Sequence, residues 1–220
     1  MADHDRAVPP TRGCVAKRES ILSAARTVFG RDGYLRASIE TIAGEAGVST
    51  RTIYNHFDGK ENLFAIVIED SARQVTTALT ELMQRHLDQV TDLQSALVDL
   101  GTDWVTPRRE FADHFAMVRH LAAEAASLPD ALLATWHDNG PSRAEDALAR
   151  HFQHLADRRL LQLDNAQRAA NHYIWLVLGE VNSRTQTGLP PLGVAEKKEL
   201  IAAGVHAFLY GYSPRSSAPA

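Results

Sequence analysis

Apolar side chains recur at intervals of three and four residues along most of the chain between about residues 17 and 212, and no stretch alternates with the two-residue period of a half-buried strand. Ala, Leu, Glu, Arg and Gln, all good helix formers, are abundant throughout this region. The pattern predicts an all-α protein. A first helix over about 17–31 buries Ile21, Ala25, Val28 and Phe29, and Asp32-Gly33 closes it with a residue free to take positive φ. Ser38 caps a second helix that reaches about residue 46, a third covers about 50–57, and a long fourth runs from about 60 to 86. Further helices fit about 92–105, 108–127, 130–139, 142–159, 165–187 and 194–210, divided by Pro, Gly and Asp/Asn signals such as "SLPD" and "TGLPPLG". Residues 1–16 and 213–220 carry Pro, Ser and small residues without an apolar period, and both are expected to be disordered tails. No internal repeat is visible.

The stretch "AGEAGVSTRTIYNHFDGKENLF", Ala43 to Phe64, breaks the ordinary pattern. Ala43, Gly47 and Ile53 have the spacing of a helix-turn-helix: a small residue where two helices approach, a glycine for the left-handed turn, and an apolar plug that Val48 and Phe57 complete. Ser49 can cap the third helix. At about 100° per residue, Ile53 and Phe57 share one side, so Thr50, Arg51, Tyr54 and Asn55 project from the other. A solvated face usually carries Glu and Lys, whereas this one carries groups that touch DNA, with His56 and Lys60 beside it. Arg51 can fork onto guanine, Asn55 onto adenine, and Thr50 can meet a thymine methyl, while hydroxyls and Lys60 can hold phosphates.

From Ser20 to Ile68 the chain resembles the tetracycline-repressor (TetR/AcrR-like) transcriptional regulators, in "ILSAARTVFGRDGY", "SIETIAGEAGVSTRTIYNHF" and "GKENLFAIVI". The resemblance implies that Thr50 and Arg51 enter the major groove and that Tyr54 and His56 contact sugar-phosphate. It implies phosphate contacts for Lys60 and Thr52, and backbone contacts for Ser38 and Thr41; Ser49 and Asn55 complete the set. Glu40 lies where some members point a base reader, and Gly59 replaces a Ser or Asn often found as the fourth-helix cap. Arg6, Arg12, Lys17 and Arg18 fit either an arm in a flanking minor groove or a solvated tail.

The run from "FAMVRHLAAEAASLPD" to "HLADRRLLQL" resembles the C-terminal domain of an AefR-like branch, which implies helical ligand binding and dimerisation. "NHYIWLVLGEV" is apolar all round and "LIAAGVHAFLY" nearly so, which fits a four-helix interface between two copies or the core of a single one. Trp104, Phe111, Phe115, His120, Trp136, Phe152 and Tyr173 are the candidate wall of a ligand pocket, with core packing as the competing role of each aromatic.

Charge sharpens this picture slightly. Of a net −4, residues 1–60 hold nine Lys/Arg and seven Asp/Glu against fourteen and twenty in the rest, so the basic surplus lies in the part expected to meet a polyanion. The longest apolar runs, such as Ile174 to Leu178, fall far short of the ~20 residues of a membrane span, and a cytoplasmic protein without a membrane partner is expected. Cys14 has no second cysteine to pair with, leaving a reactive thiol or a bystander. The ten histidines show no ligand pattern with cysteines or carboxylates, and no nucleophile elbow, P-loop or dinucleotide fingerprint appears. No metal, cofactor or enzymatic activity is therefore predicted.

Four segments are expected: a tail over 1–16, a helix-turn-helix DNA-binding domain over 17–62, a larger helical ligand-binding and dimerisation domain over 63–212, and a tail over 213–220. The expected function is that of a repressor which binds a palindromic double-stranded operator as a homodimer and is released by a small, mainly apolar effector. A helical enzyme with an incidental helix-turn-helix and a helical scaffold for a protein partner are the rival readings.

Overall fold

The computed structural model describes residues 12–186, 190 and 192–212, and all regular structure among them is helical. In chain order the helices are α1 (Arg12–Arg36), α2 (Ile39–Ala46), α3 (Thr50–His56), α4 (Lys60–Leu87), α5 (Leu93–Trp104), α6 (Ala112–Glu124), α7 (Asp130–Asn139), α8 (Pro141–Asp157), α9 (Ala166–Tyr173), α10 (Gly179–Gln186) and α11 (Val194–Tyr212). A π-helical turn, Ile174–Leu178, joins α9 to α10. No helix among the described residues is long and apolar enough to cross a membrane.

Helix α1 departs from expectation at both ends. Residues 12–16 belong to it and not to a tail, because after Pro10 only Gly13 resists a helix. Residues 1–11 and 213–220, where the rest of the expected tails fall, lie outside the described residues. Gly33 does take positive φ (78°, with ψ 171°), yet one more turn follows the break, closed by Ala37 N–H on Gly33 O at 3.2 Å.

Packing divides the chain into two compact units, and the division does not fall at a single point near residue 62. The first unit takes the described residues up to Ser71 together with Glu110–Trp136; the second takes Ala72–Arg109 and the described residues from His137 onward. In the first, Ile21, Val28, Phe29, Ile42, Ile53, Phe57, Leu63, Phe64 and Ile68 meet Met117, Leu121, Leu128 and Leu132 in one buried cluster. Helix α1 with the two short helices α2 and α3 leaves apolar surface open, and α6 with the start of α7 covers it. The fit is close: a Cβ at Gly30 of α1 would stand 3.2 Å from the Asp113 carbonyl of α6. Beneath α6, Ser71 Oγ donates to Ile68 O (3.1 Å) and so accepts from the Nδ1–H of buried His114 (3.0 Å).

The second unit packs Leu82, Met83, Leu97, Leu100, Leu148, Leu155, Val177, Leu178, Ile201 and Val205 around the aromatic group Phe152, Tyr173 and Phe208. Each of those three rings lies within 5.6 Å of the other two, centroid to centroid. The all-apolar sequence at the π turn splits its faces: Val177 and Leu178 are buried, whereas Trp175 is 75% and Leu176 50% exposed. Helix α11 meets this turn backbone to backbone at Gly204, where a Cβ would collide with the Leu176 carbonyl and stand 2.8 Å from Val177 Cα. Gly179, by contrast, has only Trp175 near its Cβ position, at 3.7 Å.

Two predictions follow from this packing. Gly204→Ala puts a methyl group into backbone atoms that cannot move aside, so it should destabilise the second unit by about 1–3 kcal/mol or more; Gly44→Ala, in open space on α2, should stabilise by roughly 0.5–1 kcal/mol. Thermal unfolding of both variants would reveal the opposite signs. The second concerns His114, whose burial, reinforced by the charge of Arg26, holds its pKa down to about 4. The unfolded chain takes up a proton near pH 6.5 that the folded chain refuses until about pH 4, so stability should fall as pH drops through that window, by about 3 kcal/mol at the bottom. Urea unfolding at stepped pH should show this slope, and His114→Gln should flatten it.

Candidate nucleic-acid interface

Helices α2 and α3 owe their boundaries to side-chain caps and one glycine. Ser38, in extended conformation, accepts the Thr41 amide on Oγ at 3.1 Å, and Ser49 accepts the Thr52 amide at 3.2 Å. Their hydroxyls also pair, Ser38 with Thr41 at 3.0 Å and Ser49 with Thr52 at 2.9 Å. Between the helices Gly47 adopts φ 66°, ψ 32°, the left-handed conformation that lets Val48 N–H close on Ala43 O at 3.0 Å. The sharp turn follows from these contacts.

Orientation of α3 is set from beneath. Ile53 and Phe57 are fully buried, so Arg51, Tyr54 and Asn55 stand exposed on the opposite side, and Thr50, Thr52 and His56 are half-buried at its edges. Tyr54 is 55% exposed, a large ring held out in water by a helix of seven residues. Arg18 of α1 lies with its guanidinium 5.5 Å from the centre of the Phe57 ring, so it belongs to a helix and not to an arm; Lys17 is exposed on the same helix. Arg6 lies outside the described residues, and Arg12 begins α1. Glu40 is exposed on the first turn of α2.

Neighbouring charges brace this platform. Arg31 of α1 bonds Asp32 at 2.8 Å and Glu45 near the end of α2 at 2.8 Å, and its guanidinium holds the Asp32 carboxyl below the usual carboxylate range. Spacing along the chain gave no sign of this link. Lys60 was expected to grip a phosphate, yet its Nζ donates to Tyr34 O (3.0 Å) and Ala37 O (3.2 Å) and lies 4.5 Å from the centre of the Tyr34 ring. Two of its three donors are thus taken up by carbonyls at the end of α1, where the helix dipole favours a cation. Gly59 has φ 138°, which explains a glycine where a capping Ser or Asn was expected.

The candidate pocket residues divide between the two units. Phe152 and Tyr173 fill the core of the second unit, with Tyr173 Oη donating to Leu97 O at 2.7 Å and burial pushing its pKa well up. Trp104 is half-buried at the edge of that core. Phe111, Phe115, His120 and Trp136 belong to the first unit, with Phe115 44% exposed, its ring edge-on to His114. Among the described residues no group of three His, Cys, Asp or Glu side chains is placed to hold a metal ion.

A capped turn between two helices, with a hydrogen-bonding face on the second, defines a helix-turn-helix DNA-binding regulator. Residues 21–67 match the model of the tetR family of bacterial regulatory proteins, and residues 109–214 match the C-terminal domain of AefR-like transcriptional repressors. The chain belongs to the tetR family, and its C-terminal part is of the AefR-like type. It is 26% identical over 189 residues to the HTH-type transcriptional repressor AcnR of Corynebacterium glutamicum, spanning 84% of this chain and 89% of that protein. A solved structure from Mesorhizobium loti MAFF303099, assigned to the TetR family, is 27% identical with a TM-score of 0.80, covering 93% of this chain and all of the other. The flavonoid-responsive regulator FrrA is 30% identical, with a TM-score of 0.64 over 91% of this chain and 98% of its own.

The Lys60 geometry leads to a test. Lys60→Met keeps the stem against Tyr34 but removes two charge-assisted hydrogen bonds, and should lower the stability of the first unit by about 1–3 kcal/mol without DNA present. An unchanged melting temperature would mean that these two bonds add nothing to the stability of the first unit.

Proposed function

We propose that this regulator is a repressor that binds a two-fold symmetric operator as a homodimer, each α3 lying in a major groove. In this reading Arg51, Thr50 and Asn55 read base edges, and Tyr54 and His56 rest on sugar-phosphate. Ser38 and Ser49 serve first as caps, bonded to Thr41 and Thr52, and these four present the flanking backbone amides and hydroxyls to phosphates. The observation that carries the reading is the outward face of α3, whose exposed groups are hydrogen-bonding and whose apolar residues are all underneath. Two copies would place their recognition helices roughly 34–36 Å apart, one turn of DNA, or a near variant of that spacing.

Dimerisation is supported by the large apolar side chains that the second unit exposes: Trp175, Leu176, Val194 (86%) and Tyr210 (89%). A small, mainly apolar or aromatic effector is supported by the name of FrrA, which responds to flavonoids, and by the AefR-like C-terminal match. Its release of the operator requires only that it bind better to the state whose two α3 helices do not fit the half-sites. A cytoplasmic location accords with this role.

Selection from a random DNA pool should yield a palindrome, and the same protein should sediment as a dimer. Arg51→Ala should weaken binding to the selected operator by about 1–3 kcal/mol and relax preference at one base pair in each half-site, read by repeating the selection with the variant. Equal weakening on all sequences would assign Arg51 to a phosphate instead.

A further inference from the structure

The last turn of α1, from Gly33 to Ala37, is gripped by two long side chains of opposite charge. On one side Lys60 donates to the carbonyls of Tyr34 and Ala37. On the other, Glu124 at the end of α6 accepts the amide of Leu35 on Oε2 at 3.1 Å, just past the break at Gly33. The bend and α6 are fitted to each other: a Cβ on Gly33 would collide with Glu124 Oε1 and stand 3.0 Å from His120 Nδ1. This is where the structure places His120, beside the bend. The chain leaves the gripped turn directly into Ser38, the cap of α2, so any rotation of the turn carries α2 and α3 with it.

We propose that Glu124 is a positioning residue for operator binding: its carboxylate on the Leu35 amide fixes the bend of α1 and thereby the placement of α2 and α3 on DNA. It lies 89 positions from Leu35 along the chain and outside residues 21–67, which carry the DNA-binding family match. It acts through α1 and touches no nucleotide. Water can satisfy the Leu35 amide when the carboxylate is removed, since Leu35 is 49% exposed, but water does not tie that amide to α6. The loss is therefore one of register and not of folding. The inference rests on the operator-binding reading above.

The test compares full-length wild type, Glu124→Gln, Glu124→Asp and Glu124→Ala on the operator that wild type selects from a random pool. The amide oxygen of Gln can accept from Leu35; Asp keeps the charge but is one methylene too short; Ala offers nothing. Glu124→Ala and Glu124→Asp should bind about tenfold more weakly, Glu124→Gln within about threefold of wild type. The slope of log affinity against log salt should be unchanged in all of them, because no phosphate contact is lost. Hydrogen exchange at Leu35 should accelerate in Ala and Asp while core amides such as Ile42 stay protected. Wild-type affinity in Glu124→Ala, a Gln variant as weak as Ala, or a reduced salt slope would each overturn the inference while leaving operator binding in place. A wild-type protein that selects no sequence would overturn the operator reading itself, and this inference with it.

Discussion

A helix of seven residues does not persist in water, because so few hydrogen bonds do not offset the cost of nucleating it. Helix α3 exists because Ile53 and Phe57 are buried beneath it and because Ser49 caps its first turn. The same burial dictates which side chains are left outside. Surface chemistry and folding are therefore one constraint: Arg51, Tyr54 and Asn55 face outward because turning them inward would expose Ile53 and strand charge in an apolar core.

What lies beneath α3 depends in turn on helices far away in sequence. Phe57 is stacked from above by Arg18 of α1, and the α1 surface that remains is closed by Met117 and Leu121 of α6. The salt bridges around Arg31 are half exposed and contribute little energy each, but they fix direction, joining the end of α2 to α1. Strength comes from the apolar cluster and register from the charged contacts.

The helices, the caps at Ser38 and Ser49 and the outward face of α3 were legible because each is written within a few neighbouring residues, in spacing and residue type. Position in space was less so. Met117, Leu121, Leu128 and Leu132 read as core of some kind, but nothing local says which core they complete. Lys60 at a helix start reads as a phosphate contact; its partners, the carbonyls of Tyr34 and Ala37, become available only once Gly33 has bent α1. Phe152 and Tyr173 show the same limit from another direction, since an aromatic that walls a cavity and one that fills a core have identical sequence.

The first unit is assembled from two separate stretches of chain, with Ala72–Arg109 of the second unit between them. During synthesis, a ribosome that has finished the helix-turn-helix has made less than half of the protein and has yet to make Leu121, Leu128 or Leu132. The nascent head must wait with part of its apolar surface open until residues near 132 emerge from the exit tunnel, and closing so long a loop costs entropy that local contacts do not return. Closure of the first unit thus waits for α6 and the start of α7, and the segment Ala72–Arg109 made in between must itself wait for Phe152, Tyr173 and Phe208, around which the second unit packs.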